Sequence, residues 1–140
     1  MRDIVRSRSV PQIIVSEADY ERLTSLATAA QERLPDVAEE LLAEMERAKI
    51  VAPEAVPENV VRMGSTVTFR SDDGHKRRMS LVYPVDEDIT LHKISVLTPI
   101  GAALIGLGED QSISWTARDG RKHELTVLKV EKPAAEAKAP

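Results

Sequence analysis

The chain has 140 residues, 42% apolar and 30% charged, enough for one globular domain or a small domain with an appendage and too few for a large two-domain enzyme. Nineteen Lys and Arg against twenty-three Asp and Glu give a net charge of -4, which argues against coating nucleic acid by charge, and the four aromatics (Tyr20, Phe69, Tyr83, Trp115) are too few for a base-stacking surface. The absence of cysteine excludes disulfides, thiolate zinc sites and cysteine nucleophiles, so a reducing, cytoplasmic compartment is expected.

Residues 1–15 read as an N-terminal extension. Arg2, Arg6 and Arg8 are not followed by an apolar run of signal-peptide length, and no apolar stretch of membrane-spanning length occurs in the chain, so no membrane partner is expected. Residues 16–52 read as a helical hairpin. Ser16 can cap a first helix, with Asp19 three residues later near its positive end. Tyr20, Leu23, Leu26, Ala27 and Ala30 then recur at helical spacing and form one apolar stripe. Pro35 is expected to end that run, and Asp36, with Glu39 three residues on, to cap a second helix. Val37, Ala38, Leu41, Leu42, Met45 and Ala48 carry its stripe to about Ile50. Two helices of roughly fifteen residues each make a hairpin only about 22 Å long.

Pro53 and Pro57 forbid a regular helix across the join, so 53–59 is expected to be a linker that leaves the angle between the two parts open. Charge changes there too. Residues 16–60 carry eleven acids and four bases, whereas 61–140 carry eleven acids and twelve bases.

From Ser65 the apolar period changes from helical to alternating. Ser65 to Arg70 and Arg77 to Tyr83 flank the turn Ser71-Asp72-Asp73-Gly74-His75, and Gln111 to Arg118 and Lys122 to Lys132 flank Asp119-Gly120, giving two β-hairpins. Leu125, Val127, Leu128 and Val130 are assigned to the buried side of the last strand, and Ile94 to Leu97 reads as a further buried strand. Between them Thr98 can cap a short helix opened by Pro99 and stopped by Gly106. The expected fold class is α+β: a short antiparallel helical hairpin, then a domain over 60–132 in which one short helix packs on a curved antiparallel sheet. Residues 133–140 lack any large apolar side chain and read as a flexible tail.

Thr98-Pro-Ile-Gly-Ala-Ala-Leu-Ile-Gly106, preceded by Ile94-Ser-Val-Leu97, resembles the Ser-Pro-Ile-Gly signature of the GreA/GreB transcript-cleavage factors. Pro11-Gln-Ile-Ile-Val15, Met45 to Ile50, Val60 to Met63, Leu81-Val-Tyr-Pro84 and Ala102 to Leu107 are similar to one branch of that family, the Rnk regulators of nucleoside diphosphate kinase. The resemblance implies a coiled coil and an FKBP-like domain that binds RNA polymerase at the rim of its secondary channel. It carries that contact onto Leu97, Thr98, Pro99 and Ile100, with Gly101 allowing close approach. In Gre factors a much longer coiled coil carries an acidic pair to the polymerase active site. Here the arm is short, and the acids near its turn, Glu32, Asp36 and Glu39 together with Glu40, read first as helix-terminus acids complementing the dipole. Glu109-Asp110 stands where the family has Gly-Asp, and Gly108 is expected to take the left-handed position.

His75, His92 and His123 lack metal-ligand spacing, and no glycine-rich phosphate loop or nucleophile elbow is present. Neither a metal nor a cofactor is expected. Lys76-Arg77-Arg78 reads as a solvated strand end, and sequence-specific DNA binding is not expected. The function expected from this sequence is a non-catalytic regulator that docks on RNA polymerase and competes with Gre-type factors. Two alternatives stand beside it: a short cleavage stimulator using Glu32, Asp36 or Glu39, and a polymerase-independent interaction module acting on nucleoside diphosphate kinase.

Overall fold

The computed structural model describes residues 11–133. The sequence expectations for the first ten residues and for most of the C-terminal tail therefore lie outside the described residues.

The chain enters through β1 (Ile14–Ser16), and Ser16 is at once the last strand residue and the cap of α1 (Glu17–Ala30), its hydroxyl accepting from the Asp19 N–H at 3.0 Å. Leu23, Ala27 and Ala30 are buried along the expected stripe, with Tyr20 and Leu26 half-buried beside them. Pro35 does not merely end the first helix. It occupies the first position of α2 (Pro35–Arg47), where its missing N–H costs nothing and its fixed φ suits the helix. Asp36 is consequently inside the first turn rather than at the cap, which is Leu34, a residue with no side-chain capping bond. The second helix also stops at Arg47, short of Ile50, because Lys49–Val51 leaves as β2 and pairs parallel with β1. This two-stranded ribbon closes the base of the hairpin. It is pinned further by the Lys49 N–H on the Ile13 carbonyl at 2.9 Å and by Arg47 donating to the Pro11 carbonyl. Helices of 14 and 13 residues reach about 20 Å.

The linker expected over 53–59 contains a 3-10 turn at Pro53–Ala55, and its ends are anchored, Val56 and Val60 being buried. After it come β3 (Thr66–Ser71), β4 (Lys76–Val82), β5 (Lys93–Ser95), α3 (Pro99–Leu104), β6 (Ser112–Thr116) and β7 (Lys122–Glu131). They form one sheet in the order β5-β4-β3-β7-β6. Both expected hairpins are present and antiparallel, but β5 lies parallel to β4, so the sheet is mixed. Two 3-10 turns, Pro84–Asp86 and Ile89–Leu91, carry the chain back along β4 before β5 begins, which a direct hairpin would not do. In β7 the register against β3 slips between Thr68 and Phe69, so that Leu128 is passed over and burial moves from Leu125 and Val127 to Val130.

Hairpin and sheet share one core. Leu23, Leu41 and Met45 from the helices join Phe69, Leu81 and Leu125 from the sheet and Leu104, Ile105 and Leu107 from α3 and its exit. The orientation that the prolines leave open in the sequence is thus set by packing, with α2 against α3. Gly106 makes this junction possible. Its φ is +83°, its carbonyl accepts from Ile14 N–H at 3.1 Å, and a Cβ there would sit 2.7 Å from the Cβ of Ile13. Further on, Asp110 rather than Gly108 takes the left-handed conformation, at φ +70°. Aspartate tolerates that region better than most residues, and Gly108 is instead held by its N–H donating to Gln111 Oε1 at 2.8 Å.

Candidate functional site

The segment from Ser95 to Gly101 is rigid for local reasons. Thr98 Oγ1 accepts from the Gly101 N–H at 3.0 Å and donates to the Ser95 carbonyl at 2.7 Å, while Ser95 Oγ accepts from the Leu97 N–H at 2.9 Å. Pro99 occupies the first helical position of α3, as its sequence predicts. A Cβ at Gly101 would lie 2.1 Å from the Ser95 carbonyl oxygen, so this glycine is required by the chain's own strand-to-helix contact. Of the five residues assigned to docking, Leu97 and Gly101 are buried, and Thr98, Pro99 and Ile100 are what the surface presents.

Pro99 stands where open clefts meet. One, of about 780 Å³, runs between the 84–92 segment and the β6–β7 turn over a floor of Ile94, Ile100 and Trp115. The other, of about 650 Å³, runs between the hairpin tip at Leu34–Asp36 and the same β6–β7 turn. A small third cleft between α2 and β6 also reaches Pro99. The second helix of the hairpin thus forms one wall of the surface on which the Thr98–Ile100 loop is displayed.

Glu32, Asp36 and Glu39 are exposed, and only Asp36 and Glu39 share a cleft. Among the described residues no group of three His, Asp or Glu side chains is arranged to hold a metal. Glu40, next to them, has its carboxyl pushed above the usual carboxylate range, first by burial and then by the charges of Glu44 and Asp36. Glu44 is raised by burial despite the Arg47 guanidinium 2.6 Å away. A carboxyl whose folded-state pKa is raised holds its proton more readily when folded, so stability falls as pH rises through this window. Glu40→Gln is therefore expected to raise the melting temperature slightly at pH 7. The gain should shrink as pH falls through the ordinary carboxylate range, below which Glu40 is protonated in the folded and the unfolded chain alike, and calorimetry at pH 7 and at about pH 3 checks this.

The histidines occupy three separate places. His75 pairs with Asp73 at 3.1 Å, His92 ends the Ile89–Leu91 turn at φ +58°, and His123 stacks on Trp115 with ring centroids 5.0 Å apart. In the basic run, Arg78 forms a two-pronged pair with Glu131 at 2.9 and 3.0 Å. Sequence reasoning missed the 84–92 segment, where Val85, Ile89 and Leu91 are exposed. The signal was three apolar residues interleaved with Asp86, Glu87 and Asp88 after Pro84.

A capped short helix on a curled mixed sheet is the C-terminal architecture of a GreA/GreB-type transcription factor, here joined to a shorter helical pair. Residues 56–132 match the family described as "Transcription elongation factor, GreA/GreB, C-term", and residues 11–51 match "Rnk N-terminus". The chain belongs to the Rnk branch of the GreA/GreB family. It is 41% identical over 125 residues to the "Regulator of nucleoside diphosphate kinase" of Escherichia coli strain K12, covering 88% of this chain and 91% of that protein. It is 36% identical over 107 residues to "Transcription elongation factor GreA" of Novosphingobium aromaticivorans, covering 74% of this chain and 66% of that protein. Among solved structures, the prokaryotic transcription elongation factor GreA/GreB from Nitrosomonas europaea superposes with a TM-score of 0.69 at 36% identity, over 86% of this chain and 99% of that one. No helix among the described residues is long and apolar enough to cross a membrane.

Proposed function

We propose that this protein is a non-catalytic regulator that binds RNA polymerase at the rim of the secondary channel through Thr98, Pro99 and Ile100, and so competes with Gre-type factors. The observation that carries this is the display of those three residues on a doubly hydrogen-bonded loop, with little conformational entropy left to lose on docking. Leu97 and Gly101 support that loop from beneath. The helical arm of about 20 Å is short for delivering acids into a channel, and its side is occupied by α3. The hairpin in this reading stands at the entrance and stimulates no cleavage.

The test is competition for RNA polymerase between the full chain and a Gre factor, with the Pro99→Ala/Ile100→Ala variant in parallel and its fold checked by circular dichroism. Wild type should displace the Gre factor, and the double variant should need at least about tenfold more protein, since apolar groups at the centre of an interface carry most of its affinity. Equal displacement by both would remove the loop from the contact. Magnesium-dependent RNA shortening in a backtracked complex, lost with Asp36→Ala, would instead favour cleavage stimulation.

A further inference from the structure

The large apolar side chains exposed among the described residues are few, and three of them, Val85 at 88% and Ile89 and Leu91 each at 61%, fall within seven residues of one segment. That segment is not loose. Asp88 accepts from the Thr90 N–H at 3.1 Å and from its hydroxyl at 2.6 Å, the Asp88 and Lys93 backbones bond to each other in both directions, and Glu87 accepts from the Ser95 N–H at 3.2 Å. Apolar side chains held in water by an ordered backbone gain nothing from folding, and surfaces of this kind mark interaction sites. Ile89 forms part of the wall of the larger cleft, and at the far side of Pro99 the half-exposed Leu34 of the hairpin tip forms part of the wall of the second. The two clefts adjoin at Pro99, Ala117 and Arg118, which line both. Five carboxylates line them against the two guanidinium groups of Arg33 and Arg118.

Building on the docking reading above, we propose that the two clefts form one seat for a cationic segment of the polymerase that bears apolar side chains, with Ile89 and Leu34 anchoring it on either side of Pro99. Apolar floor and acidic walls together select a partner that brings both kinds of group, since either alone leaves the other unmatched. The hairpin then acts as one jaw of the docking site. Burial and crowding already penalise the charge on Glu40, and an incoming cation would relieve that.

Binding of core RNA polymerase to the full chain tests the seat, with Ile89→Ser, Leu34→Ser and, as a control on an exposed apolar residue outside both clefts, Val85→Ser. Ile89 projects into solvent, and Ser at Leu34 supplies the missing side-chain cap of α2, so both variants should fold. Ile89→Ser and Leu34→Ser should each weaken binding by about five- to tenfold, Val85→Ser by less than about twofold, and the wild-type affinity should fall steeply with added salt. Wild-type affinity in both anchor variants, or an affinity indifferent to salt, overturns the seat. Where Pro99→Ala/Ile100→Ala still releases the polymerase, docking through the loop survives that result. Where it does not, the docking reading fails and the seat fails with it.

Discussion

Gly101→Ala is expected to lower the melting temperature by roughly 10 °C. The added methyl would lie 2.1 Å from the Ser95 carbonyl oxygen, 2.9 Å from the Ser95 carbonyl carbon and 2.9 Å from Thr98 Oγ1. A flexible side chain could swing aside, but two of these three atoms are backbone, and the third caps the helix. The chain must therefore separate β5 from α3, and it cannot do so without stretching the Thr98 hydroxyl from both its partners. Overpacking of this kind costs about 3 kcal/mol, and a domain of this size loses about 3 to 4 °C per kcal/mol. Because the displaced atoms carry Thr98 and Pro99, polymerase affinity should fall in the folded variant as well. A thermal melt checks the first effect, and a melting temperature within about 2 °C of wild type would show that the turn yields more easily than its hydrogen bonds imply.

This turn is also where the sequence was most informative. Thr98, Pro99 and Gly106 state a helix start and stop through effects confined to a few residues: a hydroxyl in reach of an orphan N–H, a fixed φ, and a left-handed stop. Ser16 was legible on the same terms. What the sequence left ambiguous depends on distant partners. Pro35 can close one helix or open the next, and local pattern does not choose between them. Lys49 to Val51 continues an amphipathic run, and only pairing with Ile14 to Ser16, across the whole hairpin, makes it a strand. The parallel placement of β5 follows from how 83–92 folds back, and the phase shift in β7 from an extra residue opposite Thr68 and Phe69. The candidate site divides along the same line. Its loop is local and readable, whereas the clefts beside it are made by four segments far apart in sequence. Ile89 and Leu34 looked like unremarkable apolar residues until folding left them exposed.

Leu41→Ala is expected to destabilise the whole protein rather than the hairpin alone. Leu41 is fully buried in α2 and belongs to a single hydrophobic cluster that takes in residues of the sheet as well as of α1. Removing its side chain costs about 3 kcal/mol in lost burial and residual cavity, or about 10 °C of melting temperature. The chain carries its own reporter for where that loss is felt, since its single tryptophan, Trp115, sits in β6, 74 positions away in sequence. Two helices of this length are marginal unless packed against something larger, so the hairpin owes its order to the C-terminal part, which it meets through α3. Conversely, α2 helps to cover α3, which lies over the sheet. Helix melting followed by far-ultraviolet circular dichroism and Trp115 fluorescence should therefore shift together in Leu41→Ala, as one transition. A hairpin that melted early while Trp115 kept its wild-type midpoint would make the arm an independent appendage. It would then be free to swing away from Pro99, and Asp36 and Glu39 could no longer be counted as a fixed wall of the docking surface.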